Sequence, residues 1–122
     1  MSYAQLLMDC QRLAEWLLAQ GLQRGDRILY ALHARVPFFC LLGAASMTGA
    51  VLVGVGTNYT VPEIAAIAGN VGPRFAFCDA DVVDKVRLGS GLEGGSVVCC
   101  DRAVAGMRFW DDCLDDGRKG QR

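Results

Sequence analysis

The sequence is poor in the side chains that most often carry chemistry. Histidine occurs once, as His33, and lysine twice, as Lys85 and Lys119. The single imidazole has no partner at zinc-ligand spacing, and the six cysteines contain no Cys-x-x-Cys. Neither lysine stands in a Gly-x-x-x-x-Gly-Lys-Ser/Thr setting, which excludes a Walker phosphate loop. No Gly-x-Ser-x-Gly elbow occurs, so a hydrolase nucleophile has no signal. An excess of one charge is also missing. Twelve basic against 13 acidic residues leave a formal net charge of −1, which excludes the footprint of a dedicated nucleic-acid binder. Met1-Ser-Tyr-Ala-Gln is not a basic start leading into an apolar core, so no secretory signal is read and a cytoplasmic location is expected. Without secretion, the sequon Asn58-Tyr-Thr carries no weight.

What is present is a packed globule. With 122 residues, 52% hydrophobic and 20% charged, the chain fits one domain that buries roughly 65–70% of its unfolded surface. Cys10, Cys40, Cys78 and Cys99 fall on apolar faces and read as reduced core thiols. Cys99 and Cys100 are adjacent and should point to opposite sides of a strand, leaving one of them exposed and oxidisable. Acids gather late, at Asp111, Asp112, Asp115 and Asp116, beside Arg118-Lys-Gly-Gln-Arg. This reads as a frayed, solvated end, giving a folded unit over residues 1–115 and a polar tail over 116–122. From Val36 to Pro62 there is no charge, a length sufficient to span a bilayer. Four glycines and the β-branched stretch Val51-Leu-Val-Gly-Val instead divide that run into a buried helix and a buried strand, so no stable membrane span is expected.

Periodicity and end signals set out the elements. Ser2 caps a first helix, with Gln5 as capping-box partner. Leu6, Leu7, Cys10, Leu13, Ala14, Leu17 and Leu18 form its apolar arc, with Asp9, Arg12 and Glu15 outside it. Gly21 ends the helix, and Gly25-Asp26 turns into a strand from Arg27 to Leu32. A helix apolar nearly all round follows from Pro37 to Thr48, and Gly49 leads into a strand from Ala50 to Val55. Thr60 and Glu63 form a second capping box with Pro62 in the first turn, ahead of a stripe of Ile64, Ala65, Ile67, Ala68 and Val71. Gly72-Pro73 stops that helix before a third strand, Arg74 to Cys78. Asp79 or Asp81 can cap a short helix bearing Val82, Val83 and Val86. A glycine-rich loop over 89–95 precedes a fourth strand, Ser96 to Cys100, and a turn or two of helix over Phe109 to Leu114 closes the series. The order predicts an α/β fold, an N-terminal helix followed by alternating strand–helix units that build a mostly parallel sheet.

No stretch of this chain earns a site. Gly89-Ser-Gly-Leu-Glu-Gly matches G-x-G-x-x-G, but a helix precedes it and a strand follows, the reverse of a dinucleotide site, so it reads as a flexible surface loop. Gly54-Val-Gly-Thr-Asn-Tyr has strand and helix in the right order, but it lacks a third glycine and Tyr59 blocks backbone approach. His33 closes a strand without a recognisable partner, and Asp79/Asp81 and Asp111/Asp112 read as caps and solvated turns. Catalytic, cofactor-binding and metal residues are accordingly all assigned as none.

Ser2-Tyr-Ala-Gln-Leu, Gly21-Leu-Gln-Arg-Gly-Asp-Arg-Ile, Met47-Thr-Gly-Ala-Val-Leu-Val-Gly-Val with Asn58-Tyr-Thr-Val-Pro-Glu-Ile, and Trp110-Asp-Asp occur in the order and spacing found in one family. Together they resemble the opening segment of the AMP-forming acyl-CoA synthetases and related adenylate-forming enzymes, over roughly residues 2–115. Gly54 stands where that family usually has proline, and Ala34-Arg-Val-Pro replaces its usual Asn-Ser-Pro. The resemblance implies ATP-dependent activation of a carboxylate, such as a fatty acid, to an acyl-adenylate, and transfer to a thiol, often coenzyme A. ATP, Mg and CoA are thus implied for the full-length family. The family's phosphate loop, Tyr-Gly-x-Thr-Glu segment, ribose-binding Asp and C-terminal Lys have no counterpart here, so no site residue is carried over. The expectation is a truncated N-terminal part of such a ligase, inert by itself and prone to self-association when the remainder of the enzyme domain is not there to cover it. Two other classes stand beside it: an autonomous flavodoxin-like module binding near Gly54–Tyr59, and a single-pass membrane protein.

Overall fold

The computed structural model describes residues 2–33 and 35–120. Helix α1 spans Tyr3–Ala19. The Ser2 side chain accepts the Gln5 N–H at its start, while the Gln5 amide donates forward to Asp9 at 3.0 Å, so half of the expected capping box forms. Gly21, at φ 88°, takes the left-handed turn that ends the helix. Strand β1 (Arg27–Ala31), α2 (Arg35–Thr48), β2 (Val51–Gly54), α3 (Val61–Val71) and β3 (Phe75–Cys78) follow. A 3₁₀ turn at Ala80–Val82 enters α4 (Val83–Ser90), and β4 (Val97–Cys99), β5 (Arg108–Phe109) and α5 (Trp110–Gly120) follow. Both halves of the Thr60/Glu63 capping box are made, with Pro62 in the first turn of α3 and Gly72 left-handed at its end.

Among the described residues the five strands are all parallel, in the order β2-β1-β3-β4-β5. The fold class expected from the element order is the one observed. After β1 the chain moves one way across the sheet to β2, then returns over β1 to reach β3. Right-handed crossovers in opposite directions put their helices on opposite faces. On one face α1, α2 and α5 cover Ile28, Phe75, Phe77, Val98 and Cys100. On the other, α3 and α4 cover Leu29, Ala31, Ala76, Cys78, Val97 and Cys99. Successive strand residues alternate between these two cores, and every residue of β3 is buried. An aromatic chain ties the first face together. Trp16 of α1 lies 5.4 Å from Phe75 and 6.5 Å edge-on from Phe77, and Phe77 meets Trp110 at 6.0 Å.

Several expectations are corrected by the packing. On α1 the buried set is Asp9, Cys10, Leu13, Ala14, Trp16 and Leu17, whereas Leu7 and Leu18 are exposed. The helix touches both α2 and α5, and that pair of neighbours rotates the covered face away from the arc read on the wheel. Helix α2 is not buried all round: Val36, Phe39, Leu42 and Met47 face outward. Strand β2 is an edge strand with Val51 exposed, not a buried one, and Ala65 of α3 is likewise open. Cys99 and Cys100 do point to opposite faces, but both faces are covered and both thiols are buried. The two-residue β5 has no sequence signal and exists by pairing with β4. Helix α5 continues to Gly120 where the sequence pattern points to a frayed end. Gly117 seats against the Arg12 carbonyl, where a Cβ would collide. Among the described residues no helix is long and apolar enough to cross a membrane.

The match to G-x-G-x-x-G is not a single loop: Gly89 lies in α4, Gly91 caps that helix in the left-handed conformation, and Gly94 packs against the Gly106 carbonyl. Gly89 is buried inside α4, and a Cβ there would stand 2.6 Å from the Cβ of Ile64 on α3. Gly89→Ala is therefore expected to destabilise by about 1–3 kcal/mol through overpacking. Gly69→Ala, in an exposed turn of α3 with open space around the new methyl, should instead stabilise by up to about 1 kcal/mol. Chemical denaturation of the two variants checks the opposed signs.

Candidate functional site

Where neighbouring strands of an open parallel sheet send their chains to opposite faces, a crevice opens at their C-terminal ends. Here that point lies between β1, which leads to α2, and β3, which leads to α4. His33 follows β1 and Asp79 follows β3. The His33 backbone N–H donates to Asp79 Oδ2 at 2.6 Å, and His33 Nε2 stands 3.2 Å from Asp81 Oδ2. One ligand-capable atom from each of His33, Asp79 and Asp81 lies within 4.8 Å of the others. Asp79 is 2% exposed, whereas the His33 and Asp81 side chains are 55% and 60% exposed. Asp79 Oδ1 is buried without a hydrogen-bond partner among the described residues.

The caps expected from Asp79 and Asp81 are not made. Neither carboxylate bonds the helix that follows β3; Asp101, just past β4, accepts the Ala80 N–H at 2.8 Å and does that work from a neighbouring strand. Asp79 is thereby free to bind the turn after β1, and Asp81 to face His33. Sequence reasoning notices all three residues and brings none together, because 46 and 48 positions separate His33 from its partners. The signal that finds them is the strand order, which makes β1 and β3 neighbours.

Beside this crevice, the Gly54–Tyr59 loop is closed on itself. The Tyr59 N–H donates to the Gly56 carbonyl at 3.0 Å, and a Cβ at Gly56 would stand 2.6 Å from the Tyr59 ring. Lys85 Nζ donates to the Thr57 carbonyl at 2.6 Å. The N-terminus of α3 already holds a carboxylate, since Thr60 bonds keep the Glu63 carboxyl below its ordinary range. Three aspartates line the strand ends, and like charge opposes a phosphate there. Among the described residues, the loop after β2 and the strand ends form no open backbone cradle for a nucleotide phosphate.

The thiols offer no nucleophile. All six cysteines are buried and free, and burial pushes each of their pKa values up, that of Cys113 to about 12. A folded-state pKa above the ordinary 9.0 means that the folded chain keeps protons the unfolded chain releases. The resulting stability is complete below about pH 9 and is lost as pH rises toward the folded values. Native protein at pH 7.5 should react with a thiol reagent far more slowly than denatured protein, and unfolding midpoints should fall steadily above about pH 9.

The fold and crevice define a doubly wound parallel α/β unit with an acidic switch point. A sequence model of the AMP-binding enzyme family matches residues 1–114. The chain belongs to that family. It is 33% identical over 90 residues to the long-chain-fatty-acid–CoA ligase FadD13 of Mycobacterium tuberculosis, covering 71% of this chain and 18% of that ligase. It is also 33% identical over 89 residues to the fatty acid–[acyl-carrier-protein] ligase ScoC of Streptomyces coeruleorubidus, covering 70% of this chain and 17% of the other. A benzoate CoA ligase from Burkholderia xenovorans LB400 superposes with a TM-score of 0.82 at 18% identity, over 94% of this chain and 23% of its own, which shows the shared fold. The chain thus spans less than a fifth of the length of these two sequence relatives.

Proposed function

We propose that this chain supplies the N-terminal α/β layer of an ATP-dependent, AMP-forming carboxylate–CoA ligase and does not activate a carboxylate by itself. The observation that carries the reading is family membership over residues 1–114 in a chain that spans less than a fifth of the length of its two sequence relatives. ATP, Mg and CoA belong, on this reading, to the full-length ligase, working in the cytoplasm. A fatty or aromatic acid fits the substrates printed in the relatives' names. In an ATP–pyrophosphate exchange assay with a panel of fatty and aromatic acids, the purified chain should show only background exchange. Carboxylate-dependent exchange overturns the reading.

The outer surface of α1 and α2 supports the same reading. Tyr3, Leu7, Leu18, Val36, Phe39, Leu42 and Met47 are exposed, and Ser2, Tyr3, Leu6, Val36 and Phe39 line a shallow hollow of about 190 Å³. Tyr3, Val36 and Phe39 lie together at that hollow, and Leu18 and Met47 line a second one; contiguous apolar surface is uncommon on a free monomer. The remainder of a ligase domain would cover it; alone, copies of the chain should cover each other. Sedimentation velocity is expected to find concentration-dependent association that Phe39→Glu reduces without lowering the melting temperature. A strictly monomeric chain, or association unaffected by the substitution, contradicts this.

The strand order keeps one alternative in play, an autonomous flavodoxin-like module, since β2-β1-β3-β4-β5 is that fold's order. Saturable binding of a nucleotide near Gly54–Tyr59 would favour the module over the ligase part.

A further inference from the structure

We propose that His33, Asp79 and Asp81 form a binding site for a single divalent transition-metal ion of the zinc class. The argument begins with placement. The three residues sit at the crossover point of the sheet, the position at which open α/β folds hold their ligands. They come from two strand ends that only the fold makes adjacent.

The chemistry of the donor set fixes the class of ion. One imidazole nitrogen with two carboxylate oxygens suits zinc and its neighbours, whereas magnesium and calcium prefer oxygen alone. Metal–ligand bonds of about 2.0–2.2 Å put the ligand atoms of a tetrahedral ion roughly 3.3–3.6 Å apart. The observed His33 Nε2 to Asp81 Oδ2 separation is 3.2 Å, and all three atoms fall within 4.8 Å. His33 and Asp81 are more than half exposed, so small rotations close the remaining distance. Three protein ligands leave a fourth position open to water.

An independent observation points to a missing partner. Asp79 is buried, yet its Oδ1 has no hydrogen-bond partner among the described residues. A buried carboxylate oxygen without a donor is costly, and a cation brought to the Asp79 carboxylate offsets that cost. Asp79 is also held in place, since Oδ2 already accepts the His33 N–H. The Asp79 carboxylate is therefore held in place, and rotation of the exposed His33 and Asp81 side chains would bring their ligand atoms onto an ion beside it.

The contact between His33 and Asp81 would exist as an ordinary surface pair without metal, so the test has to separate the two. Titration of the purified chain with zinc chloride in a non-coordinating buffer, followed calorimetrically, should give one ion per chain. Changes outside the ligand shell typically cost about 10–100-fold in affinity. His33→Ala and Asp81→Asn, which remove direct ligands at exposed positions, should each weaken binding at least about tenfold. Neither variant should lower the melting temperature of metal-free protein appreciably, which keeps the test independent of Asp79→Asn and its risk to folding. Cobalt(II) in place of zinc should give visible d–d bands without a thiolate charge-transfer band in the near ultraviolet. No binding, equal binding by wild type and both exposed variants, or a thiolate band, which would put the ion on the cysteines, overturns the proposal. Magnesium binding as tight as zinc overturns the assignment of class. The outcome is distinguishable from that of the exchange assay, because metal occupancy is read without any ligase activity.

Discussion

A parallel sheet has to be covered on both faces, and β3 is where this chain meets that constraint most fully. Its residues alternate between two cores: Phe75 and Phe77 reach toward Trp16 and Trp110, while Ala76 and Cys78 turn to α3 and α4. The large residues on one side and small ones on the other are matched to their partners. Two tryptophans fill the space beneath one face. On the opposite face α4 lies close to α3 because Gly89 has no side chain. Removing Phe77 would take away the group that links Trp16 to Trp110, and with it the common wall of α1 and α5.

That central strand also fixes the candidate site. Because β3 lies directly beside β1, and because the two strands release their chains to opposite faces, Asp79 arrives next to His33. Asp79 closes the turn after β1, Asp101 closes the turn after β3, and Lys85 ties α4 to the loop after β2. The strand ends are thus laced together by side-chain-to-backbone bonds. This lacing gives a rim that carries Asp79, Asp81 and Asp101 at its centre among the described residues.

Much of the fold was legible because end signals are local. Ser2, Gly21, Thr60 with Glu63, and Gly72 mark their boundaries through bonds within three or four residues or through a left-handed φ. What stayed hidden depends on distant partners. Leu7 and Leu18 look as buried as Leu13 until α5 claims the flank of α1 that carries Asp9 and Trp16. Val51 looks like a core strand residue until β2 proves to be an edge. Gly117 looks like a tail residue until Arg12 comes up against it. The site fails for the same reason: a lone histidine and two aspartates carry no motif, and only the crossover of the chain gives them each other.

The most direct measurement is native-state hydrogen exchange of the purified chain with and without Mg-ATP. The account predicts that the slowest amides lie in β1, β3 and β4, that edge strands β2 and β5 exchange faster, and that nucleotide leaves the pattern unchanged. Protection of β2 equal to that of β3, or new protection at the strand ends on adding Mg-ATP, would contradict a two-faced scaffold that has no hold on phosphate.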